Sequence, residues 1–182
     1  MGGRDSDLNR WLEEVRAEYW DGLEAPHEEP EAGRLHLVFD VADRRFAVEA
    51  SGCRGVVRRP RATRLPGVPP HVVGIVGVRG EVLSVVDLKG FLALPGNRSP
   101  GPGYLVILEA EGVRASFWVD RIADVVPLPS AEVHPVEEAW PGAPEGVVKG
   151  EWGNAPPVFV LDVAGLVLGS AVREPPDPGG RE

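Results

Sequence analysis

Hydrophobic residues occur along this chain in short runs that are separated by glycine, proline and charged residues. The clearest pattern lies within residues 72–92, where two runs rich in valine, 72–78 and 82–86, flank the dipeptide Arg79-Gly80. Short β-branched runs bounded by glycine predict strands, and a glycine at the joint predicts a tight turn. The pattern therefore predicts a β-hairpin whose turn carries an exposed arginine. Spacing alone favours an ordinary hairpin with a solvated arginine over a binding loop.

Glycine and aspartate mark special positions in this hairpin. Gly74 and Gly77 interrupt the first run, and a glycine inside a strand indicates a bulge, a bend or a close backbone approach. Asp87 ends the second run, and its side chain can cap a short helix over residues 88–92. Residues 86–92 follow the series apolar residue, Asp, apolar residue, any residue, Gly and two apolar residues. Residues 161–167 repeat this series. There it predicts a second short helix over residues 163–168.

Seven further apolar runs predict short strands, at residues 35–40, 45–50, 56–57, 104–109, 113–119, 122–126 and 157–161. Residues 130–155 show no strand pattern. The Pro/Gly-rich loop at residues 95–103 lies midway, and it divides the domain into two halves that each close with a strand, an aspartate cap and a helix. Eight or nine short strands separated by turns indicate small barrels or a sandwich.

The first 33 residues have a different pattern. Ser6 or Asp7 can cap an amphipathic helix over residues 7–21, followed by a Pro- and Glu-rich linker at residues 24–33. The apolar stripe of this helix consists of Trp11, Leu12, Val15 and Tyr19. A helix of about 15 residues is marginal alone in water, so the stripe needs a surface to cover. The pattern leaves open whether the helix packs on its own domain or docks in a partner's groove.

Charge separates the same regions. Residues 1–33 hold ten acids and three arginines and so supply −7 of the net −9, whereas residues 34–182 hold 18 acids and 16 bases. A near-neutral folded part argues against nucleic acid as the main partner, because phosphate binding needs clustered positive charge.

We expect a helix and acidic linker at 1–33, a folded domain at 34–170 and a disordered tail at 171–182.

Cysteine content and hydropathy indicate a cytoplasmic protein without direct membrane insertion. Cys53 is the single cysteine, which excludes an internal disulfide and fits a reducing compartment. No segment reaches the roughly 18 unbroken apolar residues of a membrane span. The first ten residues lack the apolar core of a signal peptide.

The sequence contains no convincing set of catalytic residues. It has no Gly-x-Ser-x-Gly elbow, no phosphate loop and no paired-histidine metal signature, and we predict no enzymatic activity, no metal and no cofactor. The basic cluster comprises Arg54, Arg58, Arg59, Arg61 and Arg64. It lacks the interleaved aromatic residues of a nucleic-acid site, which favours a solvated loop or a protein-facing rim.

The ordered motifs resemble the CheW domain of bacterial chemotaxis. The central match runs through Leu65-Pro66-Gly67, Val73-Gly74-Ile75-Val76, Arg79-Gly80, Val85-Val86-Asp87-Leu88 and Phe91. Later matches are Val119-Asp120-Arg121-Ile122, Val125-Val126 and Leu161-Asp162. Each motif is weak alone, but their order over about residues 35–168 is specific.

The resemblance implies a mainly β fold of two five-stranded barrels with short helices, and a non-enzymatic adaptor of a two-component signalling array. CheW proteins couple chemoreceptor tips to the regulatory domain of the histidine kinase CheA, at receptor arrays on the inner face of the membrane. By position, the resemblance carries a partner-binding role to Arg79, Gly80, Val56, Val57, Val76, Val78, Val119 and Asp120. It places Val119 and Asp120 in the second barrel.

Three features depart from the family pattern. Gly55 occupies a receptor-contacting position where many members have glutamate, which puts ordinary receptor binding in doubt. Ser116, followed by the bulky Phe117 and Trp118, replaces a small glycine before the Val-Asp pair. The acidic arm is an addition. The alternative function is therefore a CheW-like interaction module outside chemotaxis, whose arm helix binds a localisation or signalling partner.

Overall fold

The part of the chain that the structure describes forms two β-sheets that share one apolar core. A computed structural model describes residues 33–95, 101–136, 142–154 and 156–171. The predicted arm helix with Trp11, Leu12, Val15 and Tyr19 lies outside the described residues, as do the linker up to residue 32 and the predicted tail from residue 172.

Eleven strands and two short α-helices occur in the described part of the chain. The strands are β1 (Arg34–Val41), β2 (Arg44–Glu49), β3 (Cys53–Arg58), β4 (Val72–Val78), β5 (Glu81–Asp87), β6 (Tyr104–Ala110), β7 (Val113–Val119), β8 (Arg121–Leu128), β9 (Val133–His134), β10 (Val148–Trp152) and β11 (Val158–Leu161). The helices are α1 (Leu88–Phe91) and α2 (Val163–Ser170), and single 3-10 turns occupy Ala50–Gly52 and Ser130–Glu132. The mainly β fold with short helices is confirmed.

The two sheets are interleaved along the chain. One sheet has the order β8-β1-β2-β11-β10-β9, and the other has the order β3-β6-β7-β5-β4. The loop at 95–103 lies at the midpoint of the domain in sequence, and it does not divide the strands of one sheet from those of the other. Strand β7 pairs in parallel with β5, and β11 pairs in parallel with β2, so each sheet combines strands from both halves of the chain. Val119 is consequently the last residue of β7 in the same sheet as the Arg79 hairpin, and Asp120 comes directly after it.

The first sheet has six strands rather than the predicted five. Residues 130–155, where the sequence shows no pattern, contribute β9 and β10 to this sheet. Two adjacent residues of β10 pair with β9, at Glu151–His134 and Trp152–Val133. Strands this short, with a glycine inside β10, carry too few apolar residues to show an alternation.

Apolar side chains alternate between the core that both sheets share and a second apolar cluster on the opposite face of each sheet. We call this second cluster, which contains residues of one sheet alone, the private cluster of that sheet. On β6, Val106 and Leu108 enter the shared core, whereas Leu105 and Ile107 enter the private cluster of the five-stranded sheet. Alternation follows from the period of two in a strand. The shared core also receives Phe46 from the first sheet, so it joins the two sheets.

Both predicted aspartate caps are confirmed. Asp87 accepts a hydrogen bond from the backbone N–H of Lys89 at 3.1 Å, and Asp162 accepts one from Gly165 at 2.6 Å. Each cap turns the chain from a strand directly into a helix, because the carboxylate satisfies an amide that the first helical turn leaves unpaired. Among the described residues, no helix is long and apolar enough to cross a membrane.

Candidate partner-binding surface

The hairpin turn at Arg79-Gly80 is an exposed, sterically defined feature. Val78 pairs with Glu81, which leaves a loop of two residues with φ values of 51° at Arg79 and 85° at Gly80. Positive φ at both positions defines the hairpin turn whose twist matches that of its strands. A non-glycine residue seldom adopts this conformation, so the turn holds the exposed Arg79 in a restricted geometry.

Two exposed valines lie at the same end of this sheet. Val82 is 71% exposed and Val113 is 42% exposed. They belong to β5 and β7, which run in parallel and start at this end. Singly exposed valines are common, but two beside an exposed arginine provide apolar area of the kind found at protein interfaces.

Alternating charges cross four neighbouring strands near the same end. Glu81 on β5 accepts hydrogen bonds at 2.7 and 2.8 Å from Arg114 on β7, and Arg114 also pairs with Glu109 on β6. Glu109 in turn accepts one at 3.0 Å from Arg54 on β3. We call these four residues the charge ladder. An open depression of about 640 Å³ above it is lined by Glu81, Val82, Leu83, Glu109, Gly112 and Arg114.

The charge ladder makes stability depend on pH. Hydrogen bonds from Arg54 and then Arg114 lower the pKa of Glu109 to about 2, from an ordinary value of 4.5. A carboxylate with a depressed pKa stabilises the fold above its unfolded pKa, and this contribution is lost as the pH falls toward the folded pKa. We expect the free energy of unfolding to fall between about pH 4.5 and pH 2, and to fall less steeply in Glu109→Gln. Denaturant titrations at several pH values measure this, and equal slopes in both proteins would contradict it.

Several predicted contact residues are buried. The exposed fractions of Val56, Val76 and Val119 are 2%, 5% and 1%. Val57 and Val78 are half-buried against the private cluster of the five-stranded sheet. The partner-binding role of these five valines stays a prediction. Burial of their side chains gives them packing roles and does not support direct contacts with a partner.

Asp120 is exposed, and it holds two parts of the chain together. One of its side-chain oxygens accepts a hydrogen bond at 2.6 Å from the backbone N–H of Ala42, in the turn between β1 and β2. Its own N–H donates to the carbonyl of Asp40 at 3.0 Å. Burial raises the pKa of Asp40, but hydrogen bonds from Arg45 and Arg121 outweigh burial and hold that pKa below its ordinary value. Asp120 thus fixes the crossover from the five-stranded sheet to the six-stranded sheet.

The basic cluster divides into different environments. Arg54 belongs to the charge ladder, and the guanidinium of Arg59 lies 4.1 Å from the ring centre of Trp118 while donating to the carbonyl of Gly101 at 2.8 Å. Cation–π packing of this kind anchors Arg59 on the sheet. Arg58, Arg61 and Arg64 are exposed. The cluster is therefore partly structural and partly presented at the surface.

The departures from the family pattern fit the packing. Ser116 is fully buried, and its hydroxyl donates to the carbonyl of Ser84 on β5 at 2.6 Å. Phe117 enters the shared core and Trp118 enters the private cluster, so the strand alternation accommodates both large rings. Gly55 is buried on β3, beside an irregularity in the register with β6.

Sequence reasoning missed Val82, Val113 and most of the charge ladder. Val82 stands in a continuous apolar run, and a run without alternation does not indicate which members face solvent. Arg114 is 5 residues from Glu109 and 33 residues from Glu81 in the sequence, and only the order of the strands brings the three side chains together.

Comparison with known proteins identifies relatives over this same region. A family model described as CheW-like domain matches residues 35–169. The chemotaxis protein CheW of Bacillus subtilis (strain 168) is 28% identical over 121 residues, covering 66% of this chain and 73% of the relative. Protein FrzA of Myxococcus xanthus is 32% identical over 136 residues, covering 71% and 82%. Protein PilI of Pseudomonas aeruginosa is 34% identical over 100 residues, covering 52% and 56%.

A solved structure has the same fold. The crystal structure of the scaffolding protein TtCheW from Thermoanaerobacter tengcongensis superimposes with a TM-score of 0.66. The match covers 74% of this chain and 92% of that one, at 21% sequence identity. At this identity the similarity supports the fold alone.

Proposed function

Because this chain belongs to the CheW-like domain family, we propose that it is a non-enzymatic adaptor that couples chemoreceptors to a CheA-type histidine kinase. The observation that carries the proposal is the match of the family model to residues 35–169, which include nearly every described residue. Proteins of this kind act by holding partners together, so the proposal requires no cofactor or metal. We propose a cytoplasmic location at receptor arrays.

The kinase contact is proposed at the end of the five-stranded sheet that carries Arg79, Gly80, Val82 and Val113. Arginine contributes strongly to interfaces, because its planar guanidinium combines several hydrogen-bond donors with a weakly hydrated surface. The adjacent valines provide the apolar part of such a contact. The restricted turn reduces the ordering cost of binding.

Receptor contact is proposed to differ from the family pattern. Gly55 provides no carboxylate where many members carry glutamate. The receptor tip would therefore bind this chain without that charged contact, and we expect weaker receptor association than kinase association.

Co-purification with the regulatory domain of a CheA-type kinase tests the proposed function. We expect a complex that survives size-exclusion chromatography at micromolar concentration. The kinase and receptors encoded by the same genome are the appropriate partners. Failure to bind any kinase regulatory domain from that genome would contradict the adaptor proposal.

Arg79→Glu should weaken kinase association by about 2 kcal/mol, or roughly 30-fold in Kd, if the turn is a centre of the interface. The melting temperature should change little, because an exposed charge contributes little to folding. Isothermal titration and thermal melts provide the two measurements. Arg79→Asn is the matched control for the turn, because asparagine tolerates positive φ while lacking the guanidinium. It should fold at least as well and still bind weakly, whereas wild-type affinity in both variants would contradict the role of Arg79.

The alternative proposal is a CheW-like interaction module outside chemotaxis. The match to the family begins at residue 35, so the acidic arm is an element beyond the common domain. An arm that recruits a localisation or signalling partner would give this function. Pull-downs with residues 1–32 fused to a carrier separate it from the first proposal, since only the alternative expects those residues to capture a partner.

A further inference from the structure

Residues 50–80 form a strongly basic part of the chain. They contain six arginines and no aspartate or glutamate, whereas the chain as a whole has a net charge of −9. The segment consists of the 3-10 turn Ala50–Gly52, β3, the loop that follows it, and β4 with the Arg79 turn. Residues 50–80 therefore carry six positive charges and no negative charge within a chain whose net charge is −9.

The loop between β3 and β4 presents part of this charge along a sheet edge. Thr63 pairs with Ile75 through two backbone hydrogen bonds of 2.8 Å, which fastens the loop to the outer side of β4. Arg61 and Arg64 lie on either side of Thr63, are exposed, and form no ion pair within the described part of the chain. Leu65 follows and is 39% exposed. We call residues 61–65 the basic edge loop.

We propose that the basic edge loop is the docking surface for the acidic arm of the same chain, residues 5–31. The arm has the complementary charge, because residues 1–33 carry −7 and residues 18–31 hold six acids and no arginine or lysine. Carboxylates pair well with arginine through charge-assisted hydrogen bonds. The predicted stripe with Trp11 and Tyr19 provides an apolar side that can cover Leu65.

The connection is long enough for this contact. The arm joins the domain at Gly33, which packs against the backbone of Leu128 and Pro129 at the start of β1. Strand β1 extends roughly 23 Å from there to Asp40, at about 3.3 Å per residue. At that end the backbone N–H of Asp120 donates a hydrogen bond to the carbonyl of Asp40. Asp120 also lines a depression together with Arg58 and Arg59, which precede the basic edge loop in the sequence. The ten residues 24–33 span up to about 33 Å when extended, so the arm reaches this side of the domain.

Charge also favours this occupant over a nucleic acid. A tethered acidic segment is present at high effective concentration near the loop, whereas a free polyanion is repelled by a chain of net charge −9. Attraction between partly solvated charges is screened at high salt, where the Debye length falls to about 3 Å at 1 M. The contact should therefore weaken as salt is added.

Hydrogen exchange of the whole chain tests the proposal. Backbone amides of residues 61–65 should exchange about fivefold more slowly in the full-length protein than in a chain lacking residues 1–30, which corresponds to an arm that is docked about four-fifths of the time. The difference should disappear in about 1 M NaCl. The difference should also disappear when the full-length and the shortened protein both carry the two substitutions Arg61→Glu and Arg64→Glu.

Two controls keep the result interpretable. The triple variant Glu24→Gln, Glu28→Gln and Glu29→Gln retains the full length and the predicted helix but removes three of the six acids of residues 18–31, and it should lose most of the protection. Peptides from β1 should exchange equally in all proteins, which reports that the domain is intact. The readout involves no kinase or receptor, so it is independent of the adaptor proposal.

Three outcomes would overturn the proposal. Equal exchange of residues 61–65 with and without the arm would show that the arm does not cover the loop. Protection that grows with protein concentration would assign the contact to the arm of a second copy. Protection that survives the charge changes and high salt would show that the attraction is not between these charges.

Discussion

Phe117→Ala should lower the free energy of unfolding by about 3–5 kcal/mol, the range for large-to-small changes of a buried aromatic residue. Phe117 is 1% exposed and lies opposite Val106 on β6 and Val86 on β5. All three side chains enter the shared core between the two sheets. Removing the ring leaves a cavity where the sheets meet, and strands held on both sides cannot move to fill it.

Urea denaturation measures this loss, and Val82→Ala is the matched control. Val82 is 71% exposed in the same sheet, so its truncation should change the free energy of unfolding by less than about 0.5 kcal/mol. The same control should weaken kinase association if Val82 lies in the proposed interface. A loss below about 1 kcal/mol for Phe117→Ala would mean that the ring does not join the two sheets.

Gly74→Ala should cost about 2–3 kcal/mol through backbone strain and a collision. Gly74 has a φ of 151°, and a Cβ added there would lie 2.1 Å from the carbonyl oxygen of Thr63. That oxygen accepts the hydrogen bond of Ile75. The alanine therefore has to break the Thr63–Ile75 bridge, release the basic edge loop from β4, or distort the strand.

Gly77→Ala is the control in the same strand. A Cβ at Gly77 meets no atom within 4 Å and its φ is not in the left-handed range, so the melting temperature should stay close to that of the wild type. The two glycines look alike in the sequence, which predicts a bulge, a bend or a close backbone approach at each. The structure shows the close approach at Gly74 and open space at Gly77. Equal destabilisation by both alanines would contradict the collision and indicate a general loss of strand flexibility.

Local features of the fold were predictable because neighbouring residues determine them. The hairpin of β4 and β5 follows from β-branched runs and a glycine turn, and the exposure of Arg79 follows from its position in the turn between the two strands. Asp87 and Asp162 act within three residues of their own positions, so their capping role needs no tertiary information. The family resemblance added the expectation of two β subdomains, which the two sheets confirm.

The candidate surface was only partly predictable. Arg79, Gly80 and Asp120 are exposed as a partner contact requires, but Val56, Val76 and Val119 are buried. A motif aligns residues with a family without indicating which side chains face solvent, because alternation in a continuous apolar run is hidden when both faces of a sheet are covered. Only the structure therefore distinguishes the buried valines from the exposed residues of the predicted set.

The β class, the hairpin with its exposed arginine, the two aspartate caps and the concentration of negative charge before residue 34 are all predictable from the sequence. The assignment of strands to sheets, the position of Val119 in the same sheet as the Arg79 hairpin, and the charge ladder became visible in the folded chain alone. The physical reason is the range of the interactions involved. Turns and caps are settled within a few residues, whereas the pairing of β5 with β7 joins residues 31 positions apart, such as Val85 and Ser116, and depends on how the whole core packs.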